Sequence, residues 1–204
     1  MIGQLCEELL LELERAKSPV LSYLQPGISK KDVDNILEMT DIDISFPQEV
    51  YALYGWKNGI SDEDADTRSI GELSLFTLGI FVSLNLAVED YLGRAIHKSY
   101  WAKGLFPLFG SGGGDYYLID TNKRSAHRGM ILYYSPSNPY FRGTVSIFDS
   151  LDSCLSSILE CYRTKAYYFE PDSPYLEIEA NSEMAIRKKY NPRSEYYKIL
   201  DKAK

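Results

Sequence analysis

Histidine is nearly absent from this 204-residue chain: His97 and His127 are the only two. They are far apart in sequence, and neither has a Cys, Asp or Glu at ligand spacing on a shared helix face, which argues against a zinc site. The same shortage weakens nucleophilic catalysis. Ser111 sits in a GSGGG run rather than a G-x-S-x-G elbow, and neither histidine stands in a motif context. Cysteine is also scarce, with three in the chain. Cys154 and Cys161 fall two turns apart on one expected helix, about 10 Å along its axis and too far for a disulfide. Buried free thiols in a reducing compartment are the expectation. No apolar run approaches about 18 residues, so no membrane span is expected. The opening MIGQLCEELLLELERAK carries acids inside its apolar run and no basic lead, unlike a signal peptide. A cytoplasmic protein is expected, without internal repeats or low-complexity segments.

Basic charge is in deficit too: 22 Lys and Arg stand against 29 Asp and Glu, a net charge of −7. Such a chain lacks the clustered cations that phosphate contacts need, so no nucleic-acid partner is expected, and a basic partner suits it better. What is present is ordinary for a globular protein, with 45% hydrophobic and 25% charged residues. The length suits one domain, residues 1–204, with a core large enough to need neither disulfides nor metal.

Periodicity supplies the elements. Leu5, Leu9 and Leu13 recur at helical spacing, with Glu7, Glu8, Glu12 and Glu14 on the other face. Ser29 and Asp32 resemble a capping box opening a second helix. FPQEVYALYGWKNG reads as a short helix with Pro47 in its first turn, closed by an Asn58-Gly59 turn. The polar, acidic stretch between Asn58 and Phe76, GISDEDADTRSIGELSL, reads as a solvent loop, and Leu73 to Val82 as β-capable. Ser83 caps a helix whose apolar face runs from Leu84 to Ala95. Strands are expected at Leu105–Phe109, Tyr116–Ile119, Met130–Tyr134 and Thr144–Phe148, four in meander order. Ser150 caps the clearest helix, with Leu151, Cys154, Leu155, Ile158, Leu159 and Tyr162 on its apolar face and Asp152, Ser153, Ser156, Ser157 and Glu160 exposed. A short helix follows over Ser182–Lys189. The end, about 181–204, reads as a basic extension carrying Arg187, Lys188, Lys189, Arg193, Lys198, Lys202 and Lys204.

Trp101 to Asp120, WAKGLFPLFGSGGGDYYLID, runs a strand into a glycine turn, Gly112-Gly113-Gly114, and out again. A phosphate-binding loop would need Gly-Lys-Ser/Thr opening a helix; here Asp115 follows and a strand continues. Taken with Pro47, Tyr51, Asn58 and Gly59 upstream, this pair of segments resembles the SUKH superfamily, whose members share an LP-x-x-Y…NG segment and a later W…GGGD-hydrophobic segment. The resemblance covers roughly Ile44 to Asp149. It departs where Phe46 replaces an aliphatic residue and where Ile60 follows Asn58-Gly59 in place of a further glycine. It implies a non-enzymatic α+β protein with no cofactor. Bacterial members look like immunity proteins that bind and neutralise toxin domains, often nucleases, while fungal relatives act in cell-wall assembly.

Two features suggest where a protein partner would bind. Asp62, Glu63, Asp64 and Asp66, with Glu72 beyond, form the densest acidic cluster. Solvation is the ordinary reading of such a run; presentation of anions to a basic toxin domain is the functional one. Calcium-loop spacing is absent. Asp115 and Asp120, five apart, fall on opposite strand faces and make no acid/base pair. Seventeen tyrosines are the other excess. Among them Tyr140, in SNPYFRG between proline and glycine, is expected to be exposed and available to a partner. The expected architecture is one α+β domain, a twisted, mainly antiparallel sheet packed by helices from both ends of the chain. An intracellular scaffold or regulator is the alternative to an immunity protein, and oligomeric state is left open.

Overall fold

Helix α1 (Ile2–Arg15) opens the chain, in a computed structural model that describes residues 2–203. It buries Ile2, Cys6, Leu9 and Leu13, a stripe at steps of four, three and four that is too regular for any other element. Next, β1 (Leu24–Pro26) pairs antiparallel with β2 (Lys57–Ile60), and between them lie α2 (Lys30–Met39) and α3 (Gln48–Trp56). The Ser29–Asp32 capping box is present at the start of α2. Pro47 is the N-cap of α3 rather than part of its first turn. Asn58-Gly59 makes no turn; it lies inside β2, with Gly59 at φ +65°. The acidic stretch expected as a loop is a helix, α4 (Asp62–Thr67), because the Ser61 hydroxyl accepts from the Asp64 amide and caps it. A second short helix, α5 (Ile70–Leu73), follows with a Ser69–Glu72 capping box.

Six strands, not four, make the main sheet: β3 (Ser74–Phe76), β4 (Gly79–Phe81), β5 (Leu105–Gly110), β6 (Tyr116–Asp120), β7 (Ile131–Tyr134) and β8 (Thr144–Phe148). Every neighbour is antiparallel and consecutive in sequence. The two added strands come from the Leu73–Val82 run, folded on itself at Leu78, which takes φ +55°. Strands of three residues are too short to show a period, so the hairpin was hidden. Helix α6 (Leu84–Asp90), capped by Ser83, continues as a π-helical turn, Tyr91–His97. β5 is buried at all six positions, so both faces of the sheet are covered. On one face Phe76, Phe109, Tyr117 and Phe148 pack ring against ring. On the other Phe106 meets Phe46 and Tyr91.

Helix α7 (Leu151–Arg163) starts at Ser150 as expected and lies along α1. Its buried face is wider than expected. Ser157 is fully buried, because α8 (Ala180–Tyr190) packs on a second side, and its hydroxyl is satisfied by the Cys154 carbonyl. All three cysteines are buried free thiols. Burial pushes the Cys6 thiol up to about 12, with Glu7 adding to the rise, which leaves it inert as a nucleophile. Before α8 comes a hairpin, β9 (Tyr167–Phe169) and β10 (Leu176–Ile178); after it comes α9 (Glu195–Lys202). These last elements are docked on the domain. The Arg187 guanidinium is buried over the rings of Phe76 and Phe148 and pairs with Glu183 at 2.9 Å. Lys188 pairs with Asp201 and Arg193 with Asp149, so part of the basic end is neutralised internally. Lys204 lies outside the described residues. Residues Ser194 and Glu195, where α9 begins, bond to the Ser146 carbonyl (3.0 Å) and hydroxyl (3.1 Å) of edge strand β8.

Candidate interaction surface

The residues singled out between Pro47 and Asp115 prove to be joints. Asn58 donates to the Gln25 side chain at 3.1 Å and accepts from the Leu84 amide at 3.1 Å, tying β1 and β2 to the start of α6. Tyr51 donates to Asp34 at 2.7 Å while the Lys30 ammonium sits 4.0 Å over its ring, fastening α3 to α2. Trp101 is buried, donates its indole N–H to the Leu105 carbonyl at 2.9 Å, and packs at an angle against the rings of Tyr116 and Tyr134.

The glycine turn is self-satisfied in the same way. The Ser111 hydroxyl accepts from the Gly113 amide (3.0 Å) and the Asp115 amide (3.2 Å) and approaches the Asp115 carboxylate at 3.3 Å. These inward-turned amides are not available to cradle a phosphate. Gly112 and Gly114 take φ of +73° and +101°, whereas Gly113 is not in that region; the outer two glycines carry the conformational demand.

The acidic cluster divides. Asp62, Glu63 and Asp66 are exposed on α4, with Asp62 also accepting from Ser83 at 3.3 Å. Asp64 turns inward to the Ser61 hydroxyl at 2.8 Å. Glu72 is committed to the fold: it accepts from the Ser69 amide and hydroxyl (3.1 and 2.8 Å) and from the Tyr23 hydroxyl (3.1 Å). The Ser69 bonds foremost hold its carboxyl below the usual range. Tyr140 is exposed as expected, its amide held by Asn138 within the β7–β8 loop.

A family model for the SMI1 / KNR4 family (SUKH-1) matches residues 27–157. The chain belongs to this family. Family membership supports a protein-binding role of the immunity-like or SMI1-related kind, and members are generally non-enzymatic. No curated protein matches the chain. The SUKH-1 match contains the Tyr51, Asn58-Gly59, Trp101 and glycine-turn joints, and it stops within α7, so β9, β10, α8 and α9 are outside it. Among the described residues no group of three or more His, Cys, Asp or Glu is placed to hold a metal, and no helix is long and apolar enough to cross a membrane.

Sequence reasoning did not single out two exposed side chains at α5. Tyr175, at the start of β10, lies on Gly71 of α5, and Ile70 lies on Gly112 of the glycine turn; both are more than half exposed. A signal for Tyr175 existed: Pro174 stands immediately before it, as Pro139 does before Tyr140.

Proposed function

We propose that this protein is an immunity protein that neutralises a cognate toxin domain by occupying its surface inside the producing cell, catalysing no reaction and needing no cofactor. Family membership across residues 27–157 carries the reading. The exposed carboxylates of α4 support a basic partner, since opposite charge raises the association rate and helps select the partner.

The test pairs the protein with the C-terminal domain of a secreted toxin from the neighbouring reading frame. Because α4 is a helix, reversing charge near its N-terminus would cost about 0.3–1 kcal/mol per site through the dipole. Neutral amides at Asp62, Glu63 and Asp66 avoid much of that, and Asp64 stays as the partner of Ser61. Wild type should protect cells from the toxin. The triple amide variant should associate more slowly, with the difference shrinking as salt rises toward a Debye length of about 8 Å. A toxin unaffected by the wild-type protein refutes the reading. An unchanged association rate moves the contact to Tyr140. The regulator alternative draws on the SMI1 / KNR4 side of the family and predicts an endogenous partner and a metabolic gene neighbourhood.

A further inference from the structure

We infer that the protein pairs with a second copy of itself through the face that carries Met39 on one side and a basic aromatic recess on the other, each copy's Met39 entering the other's recess. This is independent of the immunity reading.

Met39 ends α2 and is 86% exposed, the barest large apolar side chain among the described residues. Its place is fixed, because the Thr40 hydroxyl donates to the Ile36 and Leu37 carbonyls (2.8 and 3.1 Å) and closes the helix just behind it. One exposed methionine is ordinary. Its setting is not: Glu38, Asp41 and Asp43, which flank it in sequence, are exposed, and none has an ion-pair partner among the described residues.

The recess has the opposite character. Ala95, Tyr100, Trp101 and Ala102 line a hollow of about 430 Å³, together with Lys103 and with Gly143, the neighbour of Arg142. No carboxylate is in this lining, and residues 91–114 and 121–148 contain no Asp or Glu. Asp90, just before the first of these segments, is paired with Arg94 at 2.8 Å. The Lys98 ammonium lies 5.7 Å over the Tyr100 ring, and neither Lys103 nor Arg142 has an ion-pair partner among the described residues. Aromatic walls among cations suit a thioether flanked by acids.

A cleft of about 730 Å³ joins the two. It is lined by Asp41 and Asp43, by Lys123, Arg124 and the Lys103 that it shares with the recess, and by half-buried Ile44, Leu92 and Ile96. Met39 is two residues from Asp41, at most about 7 Å away. Knob and recess therefore open on one face of the molecule. A face that carries both signs in separate places complements itself under a two-fold rotation, because the acids of each copy meet the bases of the other and every contact is made twice. A partner of one sign would set half of this face against like charge. A second copy of the chain leaves neither half unmatched.

Sedimentation of the purified protein over a range of concentrations reads the association. Wild type should pass from one chain to two as concentration rises. Met39→Ser should weaken pairing at least about tenfold, since it removes an apolar contact made twice. Glu38→Lys with Asp43→Lys should stay single, and so should Lys103→Glu with Arg142→Glu, with melting temperatures near wild type because all four side chains are exposed. Mixed in equal amounts, these two variants should pair with each other, since the reversed acids then meet reversed bases and the other contact is unchanged. Misfolding of either variant could not produce that recovery. Wild type that stays single at every concentration overturns the inference, and if Met39→Ser then loses toxin binding, the toxin is the occupant instead. Wild type that pairs while the mixture does not overturns the assignment of this face.

Discussion

Gly59→Ala is the sharpest test of how this fold is assembled. Gly59 lies in β2 at φ +65°, and an added Cβ would sit 2.5 Å from both the carbonyl carbon and oxygen of Val82 and 2.7 Å from the Phe81 oxygen. The left-handed conformation costs a non-glycine residue about 1–2 kcal/mol. Forcing a methyl into packed atoms typically adds about 1–3 kcal/mol, and here the obstacle is backbone that cannot rotate away. The sum is roughly 2–5 kcal/mol. At this chain length each kcal/mol lowers Tm by about 2–4 °C, so a fall of roughly 4–20 °C is expected. Gly113→Ala is the matched control. Its φ is not positive, and its Cβ would meet only the Ser111 hydroxyl at 3.5 Å. It should be neutral or stabilise by up to about 1 kcal/mol through the unfolded chain. Thermal and denaturant melting of both variants decides the matter. Equal midpoints, or a Gly113 variant that falls as far as the Gly59 one, would refute the assignment of strain to β2.

Replacing Arg187 with Met removes the cation from a buried pair and strands the Glu183 carboxylate, so melting should show a loss of about 3–5 kcal/mol, with Glu183→Gln in the same chain recovering part of it. Glu72→Gln tests the α5 cap through pH. The folded carboxyl is held below its usual value, so its contribution is fully present above the ordinary carboxylate range near about 4.3 and is lost as pH falls through the lowered value. The stability gap between wild type and Glu72→Gln should therefore be widest at neutral pH and close in acid; a gap independent of pH would contradict this.

The long amphipathic helices were legible because their apolar steps repeat over three turns or more, as in α1 and α7. Caps were legible for the same local reason: Ser29, Ser83 and Ser150 each sit where the structure uses them. Short elements were not. β3, β4, β9 and β10 have three residues each, below any period, and α4 hid because its composition is that of a loop while Ser61 supplies a cap. Ser157 and Arg187 read as surface residues because their burial depends on contacts with distant elements, α8 on α7 and the Phe76–Phe148 pair on α8. The family motifs were legible as residues but not as roles. Asn58-Gly59 looks like a turn in isolation and becomes a strand joint only when Val82 is beside it.

The position of α9 against β8 bears on how the chain matures as it is made. The sheet grows strand by strand in sequence order, so each new strand finds its neighbour already in place and the local pairings need little chain search. That order leaves β8 last, an edge strand whose Ser146 carbonyl gains the Ser194 hydroxyl, and whose Ser146 hydroxyl gains the Glu195 amide, only some fifty residues later. Until α7 is made, α1 also lacks the longest helix it packs against, and its Cys6–Leu9–Leu13 stripe is only partly covered by α3. A chain released early, before α7 to α9, would carry both an unpaired strand edge and a bare apolar helix face, the two surfaces that most readily join one unfinished copy to another. α7 to α9 thus cover the two surfaces by which unfinished copies would most readily join.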